Sequence, residues 1–368
     1  MLMKEDRRIR TREFIAIILL ILGIKFTDMT ATILFKETTT ATWMIPVISA
    51  VSFVVPLSAI LSLVKKFGEI NLIEIAFQVT GKYIGFLIGM LLFLIAFSST
   101  IVNTRGYVDI ITSMYFQEST NLSFYILLVG SSYYLANRGL LAIGRTAWIC
   151  IPYIKFSLLF AIILLWNKLY FQHLFPILGP GLKPLVMEGV KYSSISGDIL
   201  YMAMIFPFVK GYPAFRKGIL IGYGLAVLEL SLFFAFFIAF FDYPTFEFIA
   251  YPFHEILRMI KLGRFVSNIE SLFFAFWSVA SIIRFSFYLY ISALVLSATL
   301  KIKEFEPLLL PLAALTVIIG IMPENNIKNM LYLRGDFILT SSSLLLFFIP
   351  IFIYLVAKGK EVFKSEKN

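Results

Sequence analysis

Residues 228–241 read LELSLFFAFFIAFF, and runs of this kind recur along the chain. No other feature constrains the fold as strongly. A helix that crosses a bilayer needs roughly 20 apolar residues at about 1.5 Å rise each. Its backbone must also satisfy its own hydrogen bonds, because hydrocarbon offers none. The sequence supplies one such stretch after another. Over 368 residues it is 60% hydrophobic with 39 phenylalanines, and its mean hydropathy is +0.89. That is too apolar for an ordinary soluble domain. A transmembrane β-barrel would alternate apolar and polar positions in segments of about ten, which the unbroken runs contradict. The class is a multi-spanning, all-α membrane protein, with the lipid bilayer as its solvent.

The net charge of +10 would suggest nucleic acid in a soluble chain. Here membrane topology explains it, and no nucleic-acid partner is expected. Cys150 is the single cysteine, which rules out an intramolecular disulfide. The basic start feeds a full-length span without a small-residue cleavage site, so no cleavable signal is expected.

Hydropathy predicts ten spans, near 14–35, 42–64, 83–112, 122–137, 141–166, 190–209, 217–241, 267–297, 304–321 and 332–357. With the N-terminus cytoplasmic, that face holds Lys4, Arg7, Arg8, Arg10, Arg12, Lys65, Lys66, Lys82, Arg138, Arg145, Lys210, Arg216, Lys217, Lys301, Lys303, Lys358, Lys360, Lys364 and Lys367. The other face holds Lys36, Lys168, Lys183, Lys191, Arg258, Lys261, Arg264, Lys328 and Arg334. The bias is about two to one and predicts both termini inside.

The third and eighth spans exceed about 28 residues, so strong tilt or projection is expected of both. The first and sixth are interrupted by small or polar residues, GIKFTD (23–28) and SSISGD (193–198). These coincidences divide one transmembrane domain, 1–368, into five-helix repeats at 14–166 and 190–357. With five helices in each, the second starts on the opposite side and the repeat is inverted. Interrupted segments at corresponding places in two halves point to a central site. Polar residues that simply face neighbouring helices are the plainer reading.

The segments LFPILGPGLKPLVMEGV (174–190), GDILYMAMIFPFVK (197–210) and SNIESLFFAFWSVASIIRFSFYLY (267–290) follow one another in order, with ANRGLLAIGR before the fifth span. In these the chain resembles the spore-germination permeases, the integral-membrane B subunits of germinant receptors. They belong to the amino acid–polyamine–organocation superfamily. The resemblance implies a ten-helix inverted repeat with helices 1 and 6 unwound at the centre. It also implies a small amino-acid-like germinant, and two partners in the spore inner membrane: a membrane subunit with a soluble domain, and a lipoprotein. The wider superfamily carries a pair of small residues in the helix 1 break, where this chain has only Gly23.

An unwound helix in hydrocarbon exposes N–H and C=O groups that cost several kcal/mol each unless protein or ligand satisfies them. On this reading GIKFTD and SSISGD face each other and offer dipoles to a charged ligand. The candidate ligand-binding residues are Gly23, Ile24, Lys25, Asp28, Ser194, Ser196, Gly197 and Asp198. Lys25 and Asp28 are three apart and could pair on one helical face, or Lys25 could snorkel to the interface. Lys155, mid-span in CIPYIKFSLLF, costs about 2.5–3.5 kcal/mol to insert charged, so it should face the bundle. The resemblance sets Lys155 beside helix 1, either coupling to an ion or proton or bracing carbonyls or Asp28. It also places an acidic residue at Asp198, which caps a helix or contacts a ligand ammonium.

Glu270, Trp277 and Arg284 recur every seven residues, and Glu270 and Arg284 lie too far apart, about 21 Å, to pair. Arg105 and Asp109 have ion-pair spacing, and Glu229 has no evident partner. His173 and His254 fall in expected loops without a flanking cluster, so no metal site is expected. No phosphate-binding glycine loop or nucleophile elbow is present, so neither a cofactor nor catalysis is expected. Three functions fit: a germinant-sensing, transporter-like subunit, a proton-coupled amino-acid permease, or a structural scaffold for partner subunits. One fold serves all three.

Overall fold

The computed structural model describes residues 8–246, 248–260, 270–322 and 329–360. Lys4, Arg7, Lys261, Arg264, Lys328, Lys364 and Lys367, which enter the orientation argument, lie outside these residues.

Among the described residues the regular structure is helical apart from one parallel bridge, Ile9 to Val209. Helix α1 (Thr11–Ile21) ends in a 3-10 turn at Gly23–Thr27. Asp28 is extended (φ −101°, ψ −173°), and α2 (Thr30–Thr38) restarts the helix. Then come α3 (Ile45–Ser52), α4 (Val54–Phe67), α5 (Leu72–Thr80), α6 (Lys82–Ile110), α7 (Asn121–Asn137) and α8 (Leu140–Leu165). The next stretch is broken into α9 (Leu182–Lys191), α10 (Ser194–Gly197), α11 (Ile199–Met202) and a 3-10 turn at Ala203–Phe208. Helices α12 (Gly211–Phe240), α13 (Pro252–Arg258), α14 (Glu270–Leu300) and α15 (Glu306–Ile321) follow. A π-helical segment, Asn329–Ser341, leads into α16 (Ser342–Gly359).

The expected ten-span, five-plus-five inverted repeat is corrected by these elements. Among the described residues six helical stretches are long and apolar enough to cross a membrane: Thr30–Phe67 (α2 to α4, joined through a 3-10 turn at Thr39–Met44), Lys82–Tyr115, Leu140–Lys168, Gly211–Phe240, Glu270–Leu300 and Tyr332–Gly359. The physical reason lies in the other four stretches. Residues 14–35 divide at the Gly23 turn and the extended Asp28, and 190–209 is cut into pieces of four to six residues. Helix α7 has 17 residues and α15 has 16, short of the roughly 20 a crossing requires. Composition averaged over a window reads broken and short helices as spans, because it counts apolar residues without asking whether one helix joins them. The protein is a multi-pass helical membrane protein.

Helix α14 is the interior post: 83% of its most apolar window is buried. It packs against α6, α7, α8 and α15, while α12 packs against α1 and the Gly23–Thr27 turn. Large apolar side chains outside point to lipid, among them Tyr153, Phe156 and Ile163 on α8. The two broken stretches are therefore held inside a ring of longer helices.

Candidate functional site

Breaking α1 at Gly23 removes the regular i→i−4 ladder, and the chain replaces it locally. The Lys25 N–H donates to the Leu22 carbonyl at 3.2 Å, and Thr27 Oγ1 donates to the Ile24 carbonyl at 2.8 Å. Thr27 Oγ1 also meets the Tyr107 hydroxyl at 2.9 Å, and the Tyr107 ring stacks on Trp277 of α14. Asp28 then restarts the helix: its Oδ1 accepts the Thr30 N–H at 2.9 Å and the Thr30 hydroxyl at 2.5 Å. A short acceptor satisfying the first free N–H groups is what a helix start needs.

The second break meets the first through Lys25. Its ammonium donates to the Ile195 carbonyl at 2.8 Å and lies 2.7 Å from Asp198 Oδ2. The same Asp198 oxygen accepts the Tyr288 hydroxyl of α14 at 2.8 Å. The Asp198 carboxylate makes no side-chain cap on α11. It is spent on Lys25 and Tyr288. Asp28 does not pair with Lys25; its Oδ2 receives Arg334 at 2.5 Å, with Arg284 at 3.5 Å. Arg334 also donates to Asn103 Oδ1 at 2.5 Å and to Thr30 Oγ1 at 2.8 Å. All five charged groups are under a tenth exposed.

Three cations, Lys25, Arg284 and Arg334, thus face two carboxylates, Asp28 and Asp198, in a buried cluster. Arg284 Nε and Arg334 Nε are buried without a hydrogen-bond partner. A buried polar group left unpaired is costly, and a surplus charge more so. Beside them lies a cavity of about 20 Å³ lined by Lys25, Asn103, Ser194, Asp198, Arg284, Tyr288, Arg334 and Leu346, among others. That volume holds about one water. The centre is charged and closed.

The candidate residues divide cleanly. Lys25, Ser194 and Asp198 line the cavity, and Asp28 lies behind it, tied to Arg334. Ser194 is held by the Ser343 hydroxyl, which its N–H reaches at 2.8 Å, and by the Leu339 carbonyl at 2.6 Å. Ser196 turns away to Ser49 at 2.9 Å. Gly197 packs against Leu346, which stands 2.5 Å from where a Cβ would lie. Ile24 enters an apolar pocket with Ile154, Phe253 and Phe273. Gly23 faces Glu229, whose Oε2 lies 2.5 Å from a built Cβ.

Lys155 is elsewhere. Its ammonium pairs with Glu229 of α12, the carboxylate for which the sequence suggested no partner, and neither reaches Asp28. The pair floors an apolar groove between α8 and α12, lined by Leu19, Leu158, Leu159, Leu225 and Leu232. It sits behind the Gly23 turn rather than in the polar cavity. The Arg105–Asp109 pair, at 2.8 Å, is buried, and Arg105 also donates to the Gly320 carbonyl at 3.2 Å. His254 lies in α13 rather than a loop, buried, with Nδ1 at 2.9 Å from the Tyr115 hydroxyl. Among the described residues no group of three or more potential metal ligands occurs.

Sequence reasoning missed Arg334 most plainly. It placed that residue on the outer face beside the last span, whereas the π-helical segment carries it into the centre. Arg284 carried a usable signal, since an arginine deep in a long span requires an anionic partner. Asn103 and Tyr288 carried none beyond polarity inside an apolar run.

The broken segments of this multi-pass helical bundle meet around a small, charged centre, an arrangement compatible with a permease-type membrane protein. The family comparison agrees: a family model described as "Spore germination protein", the spore permease family, matches residues 9–328. The chain belongs to that family, and so has a role in spore germination as a permease-type, receptor-associated membrane protein. No curated protein matches it.

Proposed function

We propose that this protein is the germinant-sensing, transporter-like subunit of a spore germinant receptor. It recognises a small amino-acid-like germinant where residues 23–28 and 193–198 meet. Both termini are cytoplasmic on this reading, and the partners are a membrane subunit with a soluble domain and a lipoprotein.

One observation carries the reading. Three buried cations face two buried carboxylates, with two guanidinium Nε groups unpartnered at the cavity. A ligand carboxylate would accept from Arg284 and Arg334. Asp198, which Lys25 and Tyr288 hold in place through Oδ2, would take the ligand ammonium. The 20 Å³ cavity is far too small for an amino acid, so admission requires opening. Ile338, Leu339 and Ser342 form one wall and Ile95, Ser99 and Asn103 another. The Arg334 bonds to Asn103, Asp28 and Thr30 tie the segment before the first wall to the second wall and to the helix 1 break. Binding energy spent on breaking them would couple occupancy to a movement of the 329–341 segment.

The test is a germinant screen on spores deleted for this gene and complemented with the native chain or with Lys25→Met. Direct binding of the active germinant to purified protein accompanies it. Restored response with the native chain, and loss of both binding and response in a well-folded Lys25→Met, are expected. Unchanged affinity in that variant would remove the site from the centre.

A further inference from the structure

At the end of the bundle that carries the N-terminus, a second pocket of about 330 Å³ opens to the surface. It is lined by Arg8, Arg10, Arg12, Glu13, Arg145 and Lys210, with an apolar edge of Leu141, Trp148 and Ile149. Contacts between distant parts of the chain bring these residues together. The Ile9 N–H donates to the Phe208 carbonyl at 2.8 Å, and the Lys210 N–H returns to the Ile9 carbonyl at 3.1 Å. That bridge sets Arg8 and Arg10 beside Lys210. Gly144 lets α1 lie close on α8, since a Cβ there would stand 3.0 Å from Ile9 Cγ2 and 3.3 Å from Glu13 Cβ. This approach brings Arg145 to the same rim.

The charges do not balance. Glu13, the one carboxylate in the lining, accepts the Arg10 N–H at 2.6 Å and lies 3.5 Å from Arg12 Nε. Arg8 is taken by Glu69 at 2.6 Å, and Arg12 lies over the Trp148 ring. Among the described residues the side chains of Arg10, Arg145 and Lys210 have no carboxylate within ion-pair distance. Counted among the described residues, the pocket therefore presents three cations that no carboxylate pairs.

Position on the bilayer selects the anion. Helix α8 has 26 residues, about 39 Å, against a hydrocarbon thickness of about 30 Å. The excess of about 9 Å is about six residues, so with that excess at its N-terminal end Arg145, the sixth residue of α8, stands at the boundary. Beyond Trp148 the exposed face of α8 continues as Ile149, Tyr153, Phe156 and Ile163. That stripe is an apolar track running from the basic rim into lipid. A basic rim joined to such a track suits a molecule with an anionic head and a hydrocarbon tail, whereas a soluble phosphate would use only the rim.

We propose that this pocket binds the phosphate headgroup of an anionic phospholipid, with an acyl chain along the exposed face of α8. The site lies apart from the central cluster and does not depend on the germinant reading.

The test uses the purified full chain in phosphatidylcholine nanodiscs containing a minority of phosphatidylglycerol, with retained lipid read by native mass spectrometry. Preferential retention of phosphatidylglycerol is expected. A basic residue in contact with the headgroup should contribute roughly fivefold, the scale of one Lys or Arg held against an anionic lipid. Arg10→Gln/Arg145→Gln/Lys210→Gln together should therefore lower retention by up to about a hundredfold. The equal-charge control Lys65→Gln/Lys303→Gln/Lys358→Gln should leave it unchanged. Should the triple variant not elute as a single species, Arg145→Gln alone, at an exposed helical position, should show roughly the fivefold loss. Equal losses in pocket and control variants would mean diffuse surface charge and overturn the site. If inorganic phosphate or glycerol phosphate displaces the lipid at millimolar concentration, the pocket is a soluble-phosphate site and the lipid assignment fails.

Discussion

Asp28→Asn tests the charge surplus at the centre. The native cluster sets Lys25, Arg284 and Arg334 against Asp28 and Asp198. Asn keeps an oxygen for the Thr30 N–H but removes the charge facing Arg334 at 2.5 Å and Arg284 at 3.5 Å. Three cations then face one carboxylate. Removing one partner of a buried ion pair costs about 3–5 kcal/mol, and here the surplus grows as well. Arg334→Met works in the other direction, leaving two cations and two carboxylates. Asp28 keeps Arg284 and Thr30, so the loss is nearer the about 1–3 kcal/mol of a disrupted buried hydrogen-bond set. The double variant restores the native surplus of one, so the two costs should fall short of additivity by about 1–3 kcal/mol. The assay is thermal unfolding of the four purified proteins of the cycle in one detergent, with membrane levels as the expression control. The reasoning fails if Arg334→Met is as damaging as Asp28→Asn and the costs simply add. In that case the folded cluster carries no surplus positive charge.

Gly197→Val should destabilise by about 1–3 kcal/mol through overpacking on Leu346. Leu346→Ala in the same chain should recover part of that, whereas Gly224→Val, with open space around it, should be nearly neutral in the same unfolding assay. Lys155→Met strands Glu229 and should cost about 1–3 kcal/mol, and adding Glu229→Gln should return most of it. No recovery in that double variant would show that Lys155 does not answer Glu229 in the folded protein. For topology, cysteines at Lys66 and Lys303, introduced with Cys150→Ser, should be shielded from an impermeant thiol reagent applied outside. Labelling of either in sealed cells would reverse the proposed orientation.

What the sequence determined by itself was the solvent and the points of weakness. Long phenylalanine- and leucine-rich runs leave a chain no option but helices in lipid, since only a helix satisfies its backbone within one segment. Gly23, Asp28 and the serines of 193–196 are readable as breaks because they are poor helix formers placed where continuity would be cheapest. Lys25, Asp28 and Asp198 are readable as central for the same energetic reason: a charge in an apolar run must find a partner. Which partner it finds was left to tertiary structure. Lys25 crosses 173 positions to Asp198, and Asp28 reaches Arg334 across 306. Lys155 pairs with Glu229, whose carboxylate faces Gly23 of the helix 1 break, rather than with Asp28. Helix continuity was decided there too, since hydropathy sums side chains while a span also needs an unbroken ladder. The ten apolar windows therefore became six crossing-length helical stretches among the described residues. Composition is a local property that one chain position carries alone. Ion pairing and helix continuity depend on where the rest of the chain is packed, and a window slid along the sequence cannot contain that.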